Sequence, residues 1–96
     1  MHRVRLTELK SGPKKYQVTF LEGGPTVKFG AKGYSDYTMH KDPERMRRYL
    51  IRHRRRENWS DPKTPGFWSR WLLWSAPTLA GAKRIIKNKF GIQIVR

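Results

Sequence analysis

Through the first third of the chain, apolar and polar positions alternate with a period of two. Val4, Leu6 and Glu8 fall on one side of Arg5, Thr7 and Leu9, an imperfect strand, and Ser11-Gly-Pro13 marks a turn. Tyr16, Val18 and Phe20 share one face of a second strand, with Gln17 and Thr19 on the other. Glu22-Gly-Gly-Pro25 has the glycine pair that a tight hairpin demands, and Pro25 suits the start of an edge strand. Thr26–Phe29 forms a third strand with Val27 and Phe29 inward. The pattern predicts a three-stranded meander, from which residues 30–37 lead out as a loop.

The period then lengthens to that of a helix. Asp42 is placed as N-cap, Pro43 at the first helical position and Glu44 in the first turn. Met46, Tyr49, Leu50 and His53 recur at helical spacing and are expected to face the core. Arg45, Arg48, Arg52 and Arg55 line one flank, and Arg47 and Arg54 another. Asn58–Gly66, with Pro62 and Pro65, reads as a rigid connector pinned by Trp59. Phe67–Trp74 is expected to form a short helix in which Phe67, Trp71 and Trp74 fall together, with Trp68 and Leu72 beside them. After Pro77, Thr78 caps a last helix through Phe90, whose stripe is Leu79, Ala82, Ile86 and Phe90; Gly91 stops it. Ile92–Val95 reads as a short strand able to rejoin the sheet.

These elements make an α+β domain: an N-terminal antiparallel β-meander of about three strands, two or three helices and a short C-terminal strand. Residues 1–96 form a single small basic domain, with meander and loop over 1–38, an arginine-rich helix over 42–57, and a Trp-rich block with the C-terminal helix over 66–90.

Charge changes the picture most. The chain carries 22 basic and 7 acidic residues, a net +15. Residues 1–40 hold seven basic and three acidic side chains (net +4), and residues 41–96 fifteen and four (net +11). Seven of the twelve residues from Arg45 to Arg56 are arginine, and only Glu44 and Glu57 are near in sequence as counter-ions. A guanidinium offers a planar fork matched to phosphate or carboxylate, unlike the point charge of lysine. Arg45, Arg47, Arg48, Arg52, Arg54, Arg55 and Arg56, with Arg70 inside the tryptophan block, are therefore the candidate contacts to an anionic partner. That partner is an acidic protein surface, DNA or an anionic membrane surface.

Trp68, Trp71 and Trp74 admit two readings. They are the core of a small domain poor in aliphatic residues, the preferred reading, or an aromatic interface of the kind tryptophan and arginine build at binding hot spots. Asp36, in Tyr34-Ser-Asp-Tyr37, is read as a structural counter-ion to a nearby arginine rather than a catalytic base, and His53 as a hydrogen-bonded core histidine. The chain has no cysteine, paired carboxylates, glycine-rich phosphate loop or nucleophile–base pattern. No enzymatic activity, metal, cofactor or small-molecule substrate is expected. The opening Met1-His-Arg-Val-Arg5 is unlike a secretory signal, and the most apolar window, Phe67–Ala82, falls short of a membrane span.

Phe29-Gly-Ala-Lys-Gly-Tyr-Ser-Asp-Tyr-Thr38, His40-Lys-Asp-Pro-Glu-Arg45, Tyr49, Arg52-His53, Glu57-Asn-Trp59 and Gly66-Phe-Trp-Ser-Arg-Trp-Leu-Leu-Trp74 together resemble an uncharacterised family of small basic proteins from nucleocytoplasmic large DNA viruses, especially those of algae. The resemblance spans roughly residues 15–77. It implies a virion or infected-cell setting, in which a shell surrounds an inner membrane and a packed genome, and it carries no site residues. The expectation is a non-enzymatic minor capsid or cement protein on the inner face of the capsid, its arginine helix against capsid proteins or other acidic surfaces. The alternative is a nucleic-acid-binding protein that condenses or chaperones the viral genome.

Overall fold

The computed structural model describes residues 2–95. Strands β1 (His2–Glu8), β2 (Lys14–Phe20) and β3 (Thr26–Ala31) form the antiparallel meander that the alternation predicts. Leu6 pairs with Val18, Val18 with Val27 and Tyr16 with Phe29, so the register gathers the apolar residues on one face. The last strand, β4 (Ile92–Val95), joins parallel to β1 and gives the order β3-β2-β1-β4. A parallel partner needs a crossover, which the helices supply.

The β2–β3 connection is not the tight hairpin that the glycine pair implies. Thr19–Thr26 is the last pair of the ladder, and Leu21–Pro25 make a longer loop. Gly23 and Gly24 both adopt positive φ there. Leu21 instead donates its N–H to the Arg3 carbonyl at 3.0 Å, tying the loop to β1. Pro25 immediately precedes edge strand β3, where its missing donor is harmless.

Four helices follow. The first is one that the alternation did not reveal, the single turn α1 (Tyr37–His40) at the end of the 30–37 loop, capped by Asp36. Helix α2 (Pro43–His53) begins as predicted, with Asp42 accepting from the Glu44 N–H. It is shorter than expected: Arg54–Arg56 form a turn after it, and the Arg56 N–H bonds back to the His53 carbonyl. Tightening of a last turn to i→i+3 bonds is common. Only Tyr49 of the expected inward stripe is buried; Met46, Leu50 and His53 are half-buried.

Helix α3 (Pro65–Trp68), capped by Thr64, runs directly into a π-helical segment, Ser69–Leu73. This changes which residues face the core. With i→i+5 spacing, Leu72 falls beneath Phe67 and Leu73 beneath Trp68, and all four are at most 2% exposed. Trp71 and Trp74 are turned to the flanks and are only half-buried. The expected grouping of Phe67 with Trp71 and Trp74 assumed 3.6 residues per turn and is corrected here. Helix α4 (Leu79–Phe90) has the predicted Thr78 cap and Gly91 stop, and Ala82 and Ile86 are its buried stripe.

Helix α3, the π segment and α4 cover one face of the sheet. Val4, Val18, Val27, Phe29 and Ile92 meet Phe67, Trp68, Leu72, Leu73, Ala82 and Ile86 in one core. The opposite face carries Arg3, Arg5, Thr7, Gln17, Thr19, Thr26, Lys28 and Gln93, exposed or half-exposed, the usual arrangement for an antiparallel sheet with one solvated side.

One glycine is required by this packing. Gly30 has φ +78°, and a Cβ there would lie 2.9 Å from Leu73 Cδ1. Gly30→Ala is expected to destabilise the domain by about 1–3 kcal/mol, from left-handed strain and overpacking together. A urea midpoint lowered at unchanged slope would register it; an unchanged midpoint would contradict this account.

Candidate anionic-partner face

Helix α2 is carried on the domain by an aromatic column. The Tyr49 ring stacks parallel on Trp74 with centroids 4.3 Å apart, and His53 stacks on the same tyrosine at 4.3 Å. On the α1 side His40 tilts against Trp74 at 5.3 Å. Burial pushes the Tyr49 hydroxyl well above the usual tyrosine range, with the nearby Glu57 carboxylate adding to it. His40 Nδ1 accepts from the Asp42 N–H, while its Nε2 is buried without a partner. Burial lowers the His40 pKa, and the positive charge of Arg45 lowers it further.

Glu57 fixes the far end of α2. One carboxylate oxygen meets His53 Nδ1 at 3.2 Å, and the other accepts from the Trp59 indole at 2.9 Å. The side chain lies against Gly66, where a Cβ would come within 3.0 Å of it. His53 is thus hydrogen-bonded as expected, at the edge of the core rather than within it.

On this support the arginines divide between faces of the helix and the turn after it. Arg45, Arg48 and Arg52 follow i, i+3, i+7 spacing and, with Trp74, line a groove of about 220 Å³. Arg45 and Arg52 also border a neighbouring cleft of about 340 Å³, with Tyr34, Ser35, Tyr49 and His53 in its walls. Arg54 and Arg55 flank Ile51, which is 70% exposed. Arg47 is paired with Glu44 at 2.8 Å on the exposed surface. Arg56 is exposed in the turn. Among the described residues, no carboxylate lies within ion-pair distance of Arg45, Arg48, Arg52, Arg54, Arg55 or Arg56.

Three residues singled out from the sequence belong elsewhere. Arg70 is half-buried, its guanidinium 4.2 Å from the Trp71 ring and 5.3 Å from that of Trp59, and it donates to the Trp74 carbonyl. Burial lowers its pKa, and its Nε is buried without a partner. It pins the 57–64 connector by cation–π contact, and among the described residues no carboxylate pairs with it. Trp68 is fully buried, with its indole donating to the Pro62 carbonyl at 2.7 Å, so it is core and not interface. Asp36 is a counter-ion, but to Lys15 at 2.7 Å and not to an arginine. It also accepts from the Thr38 N–H and hydroxyl.

Trp71 and Trp74 keep exposed portions, and Trp74 alone borders the arginine grooves. Ile51 was not among the sequence candidates. Its signal was legible: it falls about 200° around the helix from Tyr49, outside the inward stripe.

A model of the family of unknown function DUF5754 matches residues 4–53, just over half of the chain. The chain belongs to this family. The DUF5754 match runs from β1 to the last residue of α2, so it includes Arg45, Arg47, Arg48 and Arg52 with Tyr49 and ends before Arg54–Arg56 and the tryptophans. No curated protein and no solved structure matches the chain significantly. Among the described residues, no helix is long and apolar enough to cross a membrane.

Proposed function

We propose that this DUF5754 protein is a non-enzymatic structural protein of a large DNA virus, a minor capsid or cement component on the inner face of the shell that bridges acidic neighbours. The observation that carries this reading is the spread of its cations over separate surfaces. Arginines crowd α2 and the following turn, Arg5 and Lys28 stand on the open sheet face, and Arg84, Lys87 and Lys89 project from α4 on the other side of the core. The molecule measures 36 × 31 × 25 Å. Even the shortest extent exceeds the screening length of ~8 Å at physiological salt, so cations on the open sheet face and on the outer side of α4, across the core from each other, act independently. A bridge between several acidic partners needs that arrangement, whereas a protein that holds a single ligand needs one patch. The viral setting rests on the sequence resemblance.

A second reading, genome binding and condensation, is favoured by Ile51 between Arg54 and Arg55. An exposed apolar residue among guanidiniums suits a duplex groove, with aliphatic contact to a thymine methyl and cations on phosphates. One experiment separates the two. Arg47→Gln, Arg54→Gln and Arg55→Gln are combined in one variant, and shell incorporation is measured in purified virions beside duplex affinity against salt. The bridging reading expects loss from the shell at unchanged genome content, with a shallow salt dependence. A log–log slope near −5, about −0.9 for each of roughly six phosphates, flattening by about two to three units in the variant while shell incorporation persists, would establish the second reading instead.

A further inference from the structure

Arg45, Arg48 and Arg52, at i, i+3 and i+7 on one side of α2, line a groove together with Trp74. Every acidic side chain in their vicinity is engaged elsewhere. Glu44 pairs with Arg47, Glu57 holds His53 and Trp59, Asp36 holds Lys15 and Thr38, and Asp42 caps α2. Like charges at i, i+3 and i+4 spacing repel, and none of these acids makes a direct ion pair with Arg45, Arg48 or Arg52. The floor is rigid, because one face of the Trp74 indole is covered by Tyr49 and His40 leans on the same ring. A groove of about 220 Å³ is below the ~300 Å³ of an ordinary small-molecule site, and it is sized for a single anionic group.

We infer that Arg45, Arg48 and Arg52, with Trp74 as floor, form a clamp for a phosphate group. The chemistry is that of planar forks. Arginine donates two parallel N–H bonds to adjacent phosphate oxygens, and three such forks lining one groove can share one tetrahedral anion. The group is a free phosphate ion or a phosphate on a nucleic-acid strand. Arg47, Arg54 and Arg55, on the outward face, lie outside the clamp. This inference rests on the reading of α2 as a face for anionic partners, and it assigns to three of its arginines a phosphate ligand separate from the acidic neighbours that Arg47, Arg54 and Arg55 would meet.

The test is a titration of the purified protein with inorganic phosphate, then pyrophosphate, followed by the Trp74 indole N–H resonance, which Trp74→Phe assigns. A saturable shift of that resonance is expected. Arg45→Gln or Arg52→Gln should weaken it at least tenfold, while Arg47→Gln should change it less than twofold. Arg48→Lys keeps the charge and removes the fork, and it should weaken binding several-fold.

Relief of repulsion should leave the glutamine variants at least as thermally stable as the parent, which separates lost binding from lost folding. A 5′-phosphorylated oligothymidine distinguishes the sources. If phosphate displaces it, the clamp takes nucleic-acid phosphate; if phosphate binds without displacing it, the clamp takes the free ion. Absence of a saturable phosphate response would overturn the inference, as would an unaltered affinity in Arg48→Lys. A decaglutamate peptide shifting the Trp74 resonance where phosphate does not would overturn it in favour of protein carboxylates. None of these outcomes depends on shell incorporation, so the clamp and the bridging function fail separately.

Discussion

Trp68→Ala is expected to destabilise the domain by about 3–5 kcal/mol, the usual cost of truncating a fully buried tryptophan. For the 96 residues of this chain, a total stability of roughly 5–14 kcal/mol is typical, so the substitution removes a large fraction of it. The ring is wholly buried, lies against Phe67 at 5.1 Å and Phe29 at 6.2 Å, and donates to the Pro62 carbonyl. Truncation opens a cavity between sheet and helices and also leaves that carbonyl without its donor. Trp71→Ala is expected to cost less, because its ring is half-buried, although it packs on Phe90 and the Arg70 guanidinium and its indole donates to the Trp59 carbonyl at 2.7 Å. Chemical denaturation of both variants checks the ranking. A Trp71→Ala effect equal to or larger than that of Trp68→Ala would contradict the π-helical placement of these rings.

The second large effect is expected at Asp36. Its side chain is 3% exposed and holds the Lys15 ammonium, whose side chain is 15% exposed, while also capping α1 through Thr38. Asp36→Ala leaves a nearly buried lysine without its partner, and removing one member of such a pair costs about 3–5 kcal/mol; the residual exposure of Lys15 favours the lower end. Adding Lys15→Met should recover much of the loss, since an apolar replacement for both charges is often neutral. The expected signature is a double variant more stable than Asp36→Ala alone. A single variant as stable as the parent, or a double variant worse than either single one, would refute the structural role.

The legible part of the fold is the part governed by local rules. Alternation in β1–β3, the Asp42-Pro43 and Thr78 helix starts and the Gly91 stop depend on backbone geometry and capping within a few residues, and each is present in the structure. The Trp-rich block was misjudged because its periodicity is not a local property. Phe67–Leu73 reads as an ordinary helix, and only packing against the sheet favours the wider π turn that buries Leu72 and Leu73 and turns Trp71 and Trp74 outward. The partner of Asp36 was likewise beyond local reading. Lys15 is 21 residues distant, and the approach depends on the loop after β3 returning to the start of β2.

By itself the sequence determined the α+β class, the strands and the α2 and α4 helices with their caps, and the concentration of positive charge around residues 45–56, because composition and short-range spacing settle these. Tertiary structure alone decided how that charge is divided. It turned Arg70 onto two indoles, gathered Arg45, Arg48 and Arg52 at Trp74, and left Arg54 and Arg55 beside an exposed Ile51. The physical reason is that a guanidinium's partner is set by which surfaces meet it in space. The stacking of Tyr49 on Trp74, residues 25 positions apart in the chain, fixes the rotation of α2 and with it the direction of every arginine the helix carries.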